Sequence, residues 1–108
     1  MSDLSVTSAD NGKAFEVRQD GTVVIHLREN PTTGYRWVID KVDNHILAIQ
    51  STDYSQTPSG GIGGGGERRL TFKAIQAGAT LLQLKLWQEW EGEKSVTERF
   101  TVTIQVKN

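Results

Sequence analysis

The residue types best suited to recognising another molecule occur together in one short Asn-Pro-Thr-Thr-Gly-Tyr segment. Asn30 precedes a proline and is therefore restricted to extended backbone, while Pro31 has a fixed φ and no N–H to donate. Gly34 can adopt the positive φ of a tight reversal, and Thr32 and Thr33 are β-branched residues with few side-chain rotamers. A loop with so little freedom loses little entropy on binding, so the segment predicts a preorganised binding loop. The same residues are also common in ordinary turns, and turn chemistry alone favours a plain connection.

Two further segments could contact a partner molecule. Residues 57–66 contain six glycines, which favours either a flexible spacer or bare backbone that pairs with the backbone of another protein. The run is not a phosphate-binding loop, because Glu67 and a predicted strand follow it instead of Lys-Ser/Thr and a helix. In the polar segment 88–97, Trp90 is predicted either to cover the core or to anchor an interface, where tryptophan is enriched.

The chain offers little for catalysis or for metal and cofactor binding. It has no cysteine, which excludes thiolate chemistry, and its two histidines, His26 and His45, lack paired ligand spacing. No Gly-x-Ser-x-Gly segment marks a nucleophilic serine. We therefore expect a binding protein that is not an enzyme and needs no metal or cofactor.

Composition and charge narrow the class of partner. The 108 residues suit one domain spanning residues 1–108, and the net charge of −1 from 12 basic and 13 acidic residues creates no field for nucleic acid or anionic lipid. No apolar run approaches the length of a membrane span. No basic-then-apolar leader is visible at the N-terminus, so we expect a secreted, periplasmic or vesicular protein if a leader has been removed, and otherwise a cytoplasmic one. We expect a monomer.

The elements that must position these segments are strands. Apolar residues alternate with polar ones at a period of two, which predicts strands with one buried face. The alternating sets are Val23, Ile25 and Leu27; Tyr35, Trp37 and Ile39; Leu70, Phe72 and Ala74; Leu82, Leu84 and Leu86; and Phe100, Val102, Ile104 and Val106. Weaker strand candidates cover residues 4–7, 14–19 and 46–51. Seven or eight short strands without an amphipathic helix predict an all-β sandwich, with Trp37 in its core.

In combination, the three segments resemble the chagasin-like inhibitors of papain-family cysteine peptidases, over about residues 22–106. The first family motif matches Asn30, Pro31, Thr32, Thr33, Gly34 and Tyr35, with the family's tryptophan at Trp37. The second, Gly-x-Gly-Gly, is best placed on Gly63, Gly64, Gly65 and Gly66, although an earlier register within the glycine run is an alternative. The third, Arg-Pro-Trp, is altered to Gln88, Glu89 and Trp90.

The resemblance implies an immunoglobulin-like β-sandwich with three binding loops at one end. It implies reversible, tight inhibition of papain-like cysteine proteases of the cathepsin-L type, with Thr32 and Thr33 over the catalytic centre. The glycine loop then pairs with protease backbone on one side of the cleft and Trp90 packs on the other. The loss of Arg-Pro either weakens binding or, through Glu89, selects a protease with a basic surface. The alternative function is an adhesion or carbohydrate-binding sandwich, for which Tyr54 and Trp87 should be exposed on a flat sheet face.

Overall fold

Eight strands make up most of the chain in a computed structural model that describes residues 3–56 and 65–108. They are β1 (Asp3–Thr7), β2 (Ala14–Arg18), β3 (Thr22–Glu29), β4 (Arg36–Lys41), β5 (Leu47–Gln56), β6 (Gly66–Ala74), β7 (Gly78–Trp87) and β8 (Glu98–Lys107). In the described ranges the only helical segments are single 3₁₀ turns, Ser8–Asp10, Pro31–Thr33 and Gly92–Ser95. None of these described segments is a helix long and apolar enough to cross a membrane.

The strands form two four-stranded sheets in the orders β1-β3-β6-β5 and β2-β8-β7-β4. β1 pairs in parallel with β3, and β2 pairs in parallel with β8, each at one edge of its sheet, whereas all other pairs are antiparallel. The alternating apolar residues of both sheets meet in one buried cluster that includes Ile25, Phe72, Leu84 and Ile104. The predicted all-β sandwich is thus confirmed, with eight strands, and the immunoglobulin-like description holds approximately. Trp37 is buried in the core as predicted.

The sequence pattern placed two strand boundaries wrongly. β5 runs to Gln56 instead of ending at residue 51, and β6 already begins at Gly66. The extension of β5 carries mainly polar residues on both faces, so it lacks the alternation of apolar and polar residues by which a strand is predicted. It is held by ladder pairing with β6, with a register shift between Ile49 and Ser51.

The strand register brings the strand ends that flank the three candidate segments to one end of the sandwich. Glu29, the last residue of β3, is opposite Gly66, the first residue of β6, and Gly66 is also opposite Gln56 at the end of β5. In the other sheet, Arg36 at the start of β4 is opposite Trp87 at the end of β7. We call the connections at this end loop 1 (residues 30–35), loop 2 (residues 57–65) and loop 3 (residues 88–97).

Candidate functional site

Loop 1 is held in shape by its own hydrogen bonds. Asn30 Oδ1 accepts from the backbone N–H of Thr32 at 3.1 Å and from Thr32 Oγ1 at 2.7 Å. Thr33 donates to the carbonyl oxygen of Asn30 from its backbone N–H at 3.2 Å and from Oγ1 at 2.8 Å. Thr33 Oγ1 also accepts the N–H of Tyr35 at 3.3 Å. The two threonines are exposed at the tip, in a 3₁₀ turn that begins at Pro31.

Gly34 allows loop 1 to reverse directly beneath Trp90. Its φ of +80° lies in the left-handed region that favours glycine. A Cβ added at Gly34 would come within 2.5 Å of Trp90 Cη2, so the indole lies against the loop backbone. Trp90 nevertheless remains 71% exposed. An aromatic ring that contacts the loop backbone through its Cη2 edge and is otherwise largely exposed suits an interface anchor better than a core cover.

Gln88 ties loop 3 to loop 1. Its side-chain Nε2 donates to the carbonyl oxygen of Thr33 at 3.2 Å, and its backbone N–H donates to Ser95 Oγ at 2.9 Å. The carbonyl oxygen of Gln88 accepts from the N–H groups of Glu91 and Gly92. Gln88, which stands at the position of arginine in the motif it resembles, therefore connects loop 3 to loop 1 within the protein. Glu89 beside it is exposed.

A network of four charged side chains fastens loop 3 to the outer face of its sheet. Glu93 accepts from Lys85 Nζ at 2.8 Å and from Arg99 Nη2 at 2.6 Å, and both cations also contact Asp40. The hydrogen bonds from Lys85 and then Arg99 hold the pKa of Glu93 below its ordinary value. The hydrogen bond to Glu93 likewise raises the pKa of Lys85. The 3₁₀ turn of loop 3 is thus fixed by charge pairing as well as by Ser95.

The base of loop 1 contains a buried ion pair. Glu29, only 3% exposed, accepts the backbone N–H of Trp37 at 2.8 Å and pairs with Arg68 Nη2 at 2.7 Å. Trp37 Nε1 donates to the carbonyl oxygen of Arg28 at 2.9 Å. These contacts connect both ends of loop 1 to β6.

Loop 2 meets loop 1 through Gly65. A Cβ added at Gly65 would lie 2.7 Å from the carbonyl oxygen of Glu29 and 3.3 Å from Asn30 Cα. Gly66 lies inside β6, where a Cβ would collide with the carbonyl oxygen of Ser55. Both glycines are buried, and so are needed for close packing. Gly63 and Gly64 lie outside the described residues.

The predicted site residues that the structure describes form one continuous group. Loop 1, from Asn30 and Pro31 to Tyr35, contacts loop 3 through Gly34 and Thr33 and contacts loop 2 through Asn30. Pattern reasoning missed the supporting residues Glu29, Arg68 and Glu93. Glu29 had a usable signal, because it shares the strand phase of the buried residues Ile25 and Leu27.

The surface expected for the alternative function differs from that observed. Tyr54 is half-buried, and the Arg68 guanidinium carbon lies 5.6 Å from the centroid of its ring. Trp87 is also partly buried, with Lys85 Nζ 3.9 Å from its ring centroid. Both rings are thus partly buried and in contact with a cation, whereas a flat sugar-binding surface requires exposed rings. In the described part of the chain, Trp90 is the one exposed aromatic side chain.

Fold and loops together define a β-sandwich binding protein that presents a supported loop surface at one end. Residues 16–104 match the family described as chagasin family peptidase inhibitor I42. The chain belongs to this family, and it is therefore a peptidase inhibitor and not an enzyme.

Individual relatives cover nearly the whole chain. It is 30% identical to chagasin from Trypanosoma cruzi over 104 residues, covering 93% of this chain and 94% of that protein. The crystal structure of the cysteine protease inhibitor EhICP2 from Entamoeba histolytica has the same fold, with a TM-score of 0.85, 20% identity and coverage of 97% and 95% of the two chains. PbICP-C, whose structure was solved in complex with falcipain-2, shares the fold with a TM-score of 0.70, 12% identity and coverage of 96% and 99%.

Proposed function

We propose that this protein inhibits papain-like cysteine proteases of the cathepsin-L type, reversibly and without covalent chemistry, by filling the active-site cleft with loops 1, 2 and 3. The observation that carries the proposal is the convergence of the loops: Gly34 lies against Trp90, Gln88 binds Thr33, and Gly65 packs on Asn30. The complex of PbICP-C with falcipain-2 shows a protein of the same fold bound to a protease.

Loop 1 supplies the central contact in this proposal. Thr32 and Thr33 project at the exposed tip and lie over the catalytic cysteine and histidine of the protease. Their backbone forms a 3₁₀ turn, whereas substrates enter peptide-binding clefts as extended chain. The turn does not present a peptide bond in the orientation for cleavage, so the inhibitor blocks the cleft without being cut.

Loops 2 and 3 contact the protease on either side of loop 1. Gly65 and Gly66 are packed against neighbouring backbone and therefore shape the base of loop 2. The residues that pair with protease backbone precede them in the chain and include Gly63 and Gly64. Trp90 offers its exposed ring to an apolar or aromatic surface beyond the catalytic centre. An interface of standard size, about 1,600 Å² in total, with preorganised loops on one partner is compatible with nanomolar affinity.

Titration against papain and cathepsin L tests the proposal directly. We expect competitive, fully reversible inhibition with nanomolar constants and recovery of intact inhibitor after long incubation. Papain whose active site carries a covalent blocking group is the control, and it should bind the inhibitor at least a hundredfold more weakly. No inhibition of either protease at micromolar concentration, or equal binding to blocked papain, contradicts occlusion of the cleft.

A further inference from the structure

We propose that the buried Glu29–Arg68 ion pair is a positioning device that sets loop 1 and loop 2 in register with each other. The inference rests on the proposed inhibitor function for its purpose, but its structural content is independent of any protease. Glu29 and Arg68 are positioning residues, because their side chains lie beneath the loops and not at the exposed tips.

Glu29 joins the two ends of loop 1. It is the last residue of β3, immediately before Asn30, and its Oε2 accepts the N–H of Trp37 beyond the loop at 2.8 Å. β3 and β4 belong to different sheets, so no ladder hydrogen bonds connect the two strands that loop 1 leaves and enters. The carboxylate of Glu29 supplies a connection across this gap.

Arg68 performs the same task for loop 2. It lies two residues into β6 and is opposite Tyr54 in β5. Its guanidinium carbon is 5.6 Å from the centroid of the Tyr54 ring, and Nη1 donates to Thr52 Oγ1 at 3.4 Å. Arg68 is thereby in contact with both strands that loop 2 connects.

The ion pair connects the Glu29 contacts at loop 1 with the Arg68 contacts at loop 2. Arg68 Nη2 donates to Glu29 Oε1 at 2.7 Å, and Arg68 Nε donates to the same carboxylate at 3.1 and 3.2 Å. The Glu29 side chain is 2% exposed and that of Arg68 14%. Above the pair, the backbone of Gly65 packs on Glu29 and Asn30. One carboxylate and one guanidinium thus connect four strand ends.

The chemistry of the ion pair suits the positioning of loops 1 and 2 better than the stabilisation of the folded protein. Removing two charges from water is costly, and apolar residues of similar volume often stabilise a core equally well. A two-pronged guanidinium–carboxylate contact adds directional hydrogen bonds that apolar packing lacks. If loops 1 and 2 occupy the binding arrangement only part of the time, the apparent affinity falls in proportion to that fraction.

The test compares Glu29→Gln, Arg68→Met and the double variant in papain inhibition. Gln keeps the size of Glu29 and an acceptor for Trp37 but loses the charge. We expect each single variant to raise the inhibition constant by about tenfold or more, chiefly by lowering the association rate. The double variant should be no worse than either single variant, because both remove the same contact. Val17→Ala is the control, since it weakens the buried core in β2, at the opposite end, and should leave the inhibition constant within about twofold.

Nuclear magnetic resonance of the free protein separates failure of this inference from failure of the proposed function. Arg68→Met should accelerate hydrogen exchange at the Thr33 amide of loop 1, and Glu29→Gln should shift the Gly65 amide signal of loop 2. Arg68→Lys, which keeps the charge but not the planar fork, provides a milder variant if Arg68→Met does not fold. Unchanged loop signals in the folded variants, or inhibition constants equal to that of the unaltered protein, overturn the inference. If the unaltered protein inhibits no protease, the proposed function fails and the loop signals alone decide the positioning role.

Discussion

The indole of Trp90 rests directly on the backbone of Gly34, with space between them for a hydrogen but not for a methyl group. This contact joins two loops that lie more than fifty residues apart in the sequence and start from different sheets. Each of the two residues limits the freedom of the other. Trp90 is held against loop 1 and stays 71% exposed, and Gly34 is shielded on the side where a side chain would point.

Gly34→Ala should therefore damage both the loop and the contact. Alanine at a φ of +80° adopts a strained backbone, for which the cost is about 1–2 kcal/mol, and its methyl group would displace Trp90. We expect a lower melting temperature and an inhibition constant raised by at least tenfold. Gly12→Ala is the matched control, because Gly12 has a φ of +86° but no atom within 4 Å of the added Cβ. Similar inhibition by both variants would show that the contact with Trp90 is unimportant for binding.

Trp90→Ala should weaken inhibition with little change in stability. The side chain is 71% exposed, so its removal costs the folded protein little apolar burial, whereas truncation of an interface tryptophan often costs 2 kcal/mol or more in binding. We expect a loss of affinity of about thirtyfold and a melting temperature within a few degrees of the original. Ile49→Ala, which removes an exposed apolar side chain near the start of β5, away from the loops, should change neither quantity. A large fall in the melting temperature of Trp90→Ala would assign this residue to the core instead.

Thr33→Ala should also weaken inhibition, but with a measurable structural component. Thr33 Oγ1 donates to Asn30 and accepts from Tyr35, so its loss removes two hydrogen bonds within loop 1. At exposed positions we expect about 1 kcal/mol of lost stability together with a larger loss of affinity. Thr33→Ser keeps both hydrogen bonds and should recover most of the inhibition. Equal loss in the serine and alanine variants would identify the methyl group as the contact that matters.

Glu89→Gln should alter selectivity among proteases. Glu89 is exposed beside Trp90, and no ion pair to it is present among the described residues. Proteases with a basic surface facing loop 3 should lose affinity on this substitution, by up to about tenfold, and those with an acidic surface should gain it. The measurement is the ratio of inhibition constants across a protease panel at two ionic strengths. Glu16→Gln, at the far end of the sandwich in β2, is the control and should leave this ratio unchanged. If Glu89→Gln also leaves the ratio unchanged, the charge of loop 3 does not select the target protease.

Acid should release loop 3 only at low pH. The hydrogen bonds from Lys85 and Arg99 lower the pKa of Glu93 in the folded state. The contribution of Glu93 to stability is therefore complete above the pKa that it has in the unfolded chain. This contribution is lost as the pH falls through the lower pKa of the folded state. The raised pKa of Lys85 keeps that partner charged throughout this range. We expect the Ser95 amide signal and the Trp90 indole N–H signal to be constant from neutral pH to about pH 5 and to change below about pH 4. Glu93→Gln should show the loosened loop already at neutral pH, and identical pH profiles for both proteins would contradict this anchoring role.

Several features of this molecule were predictable because they depend on local sequence. The alternation of Val23, Ile25 and Leu27 indicates which face of β3 is buried, and Asn30 with Gly34 indicates a constrained turn. The contacts that support the loops were not predictable in the same way. Arg68 and Glu29 lie far apart in the chain, and their pairing follows from the register between β3 and β6, which period-two patterns do not determine. The 3₁₀ turn at Gly92–Ser95 likewise depends on cations from β7 and β8.

The two kinds of chain connection at the binding end have different tolerances to redesign. Loops 2 and 3 each join adjacent antiparallel strands of one sheet, β5 to β6 and β7 to β8, whereas loop 1 crosses from one sheet to the other. Hairpin connections accept insertions at small entropic cost because the ladder beneath them keeps its alignment. A crossing segment of fixed length, by contrast, sets how the two layers stack. Libraries aimed at new protease targets should therefore vary residues 57–64 together with Glu89 and Glu91, and leave Trp90 and the crossing segment intact.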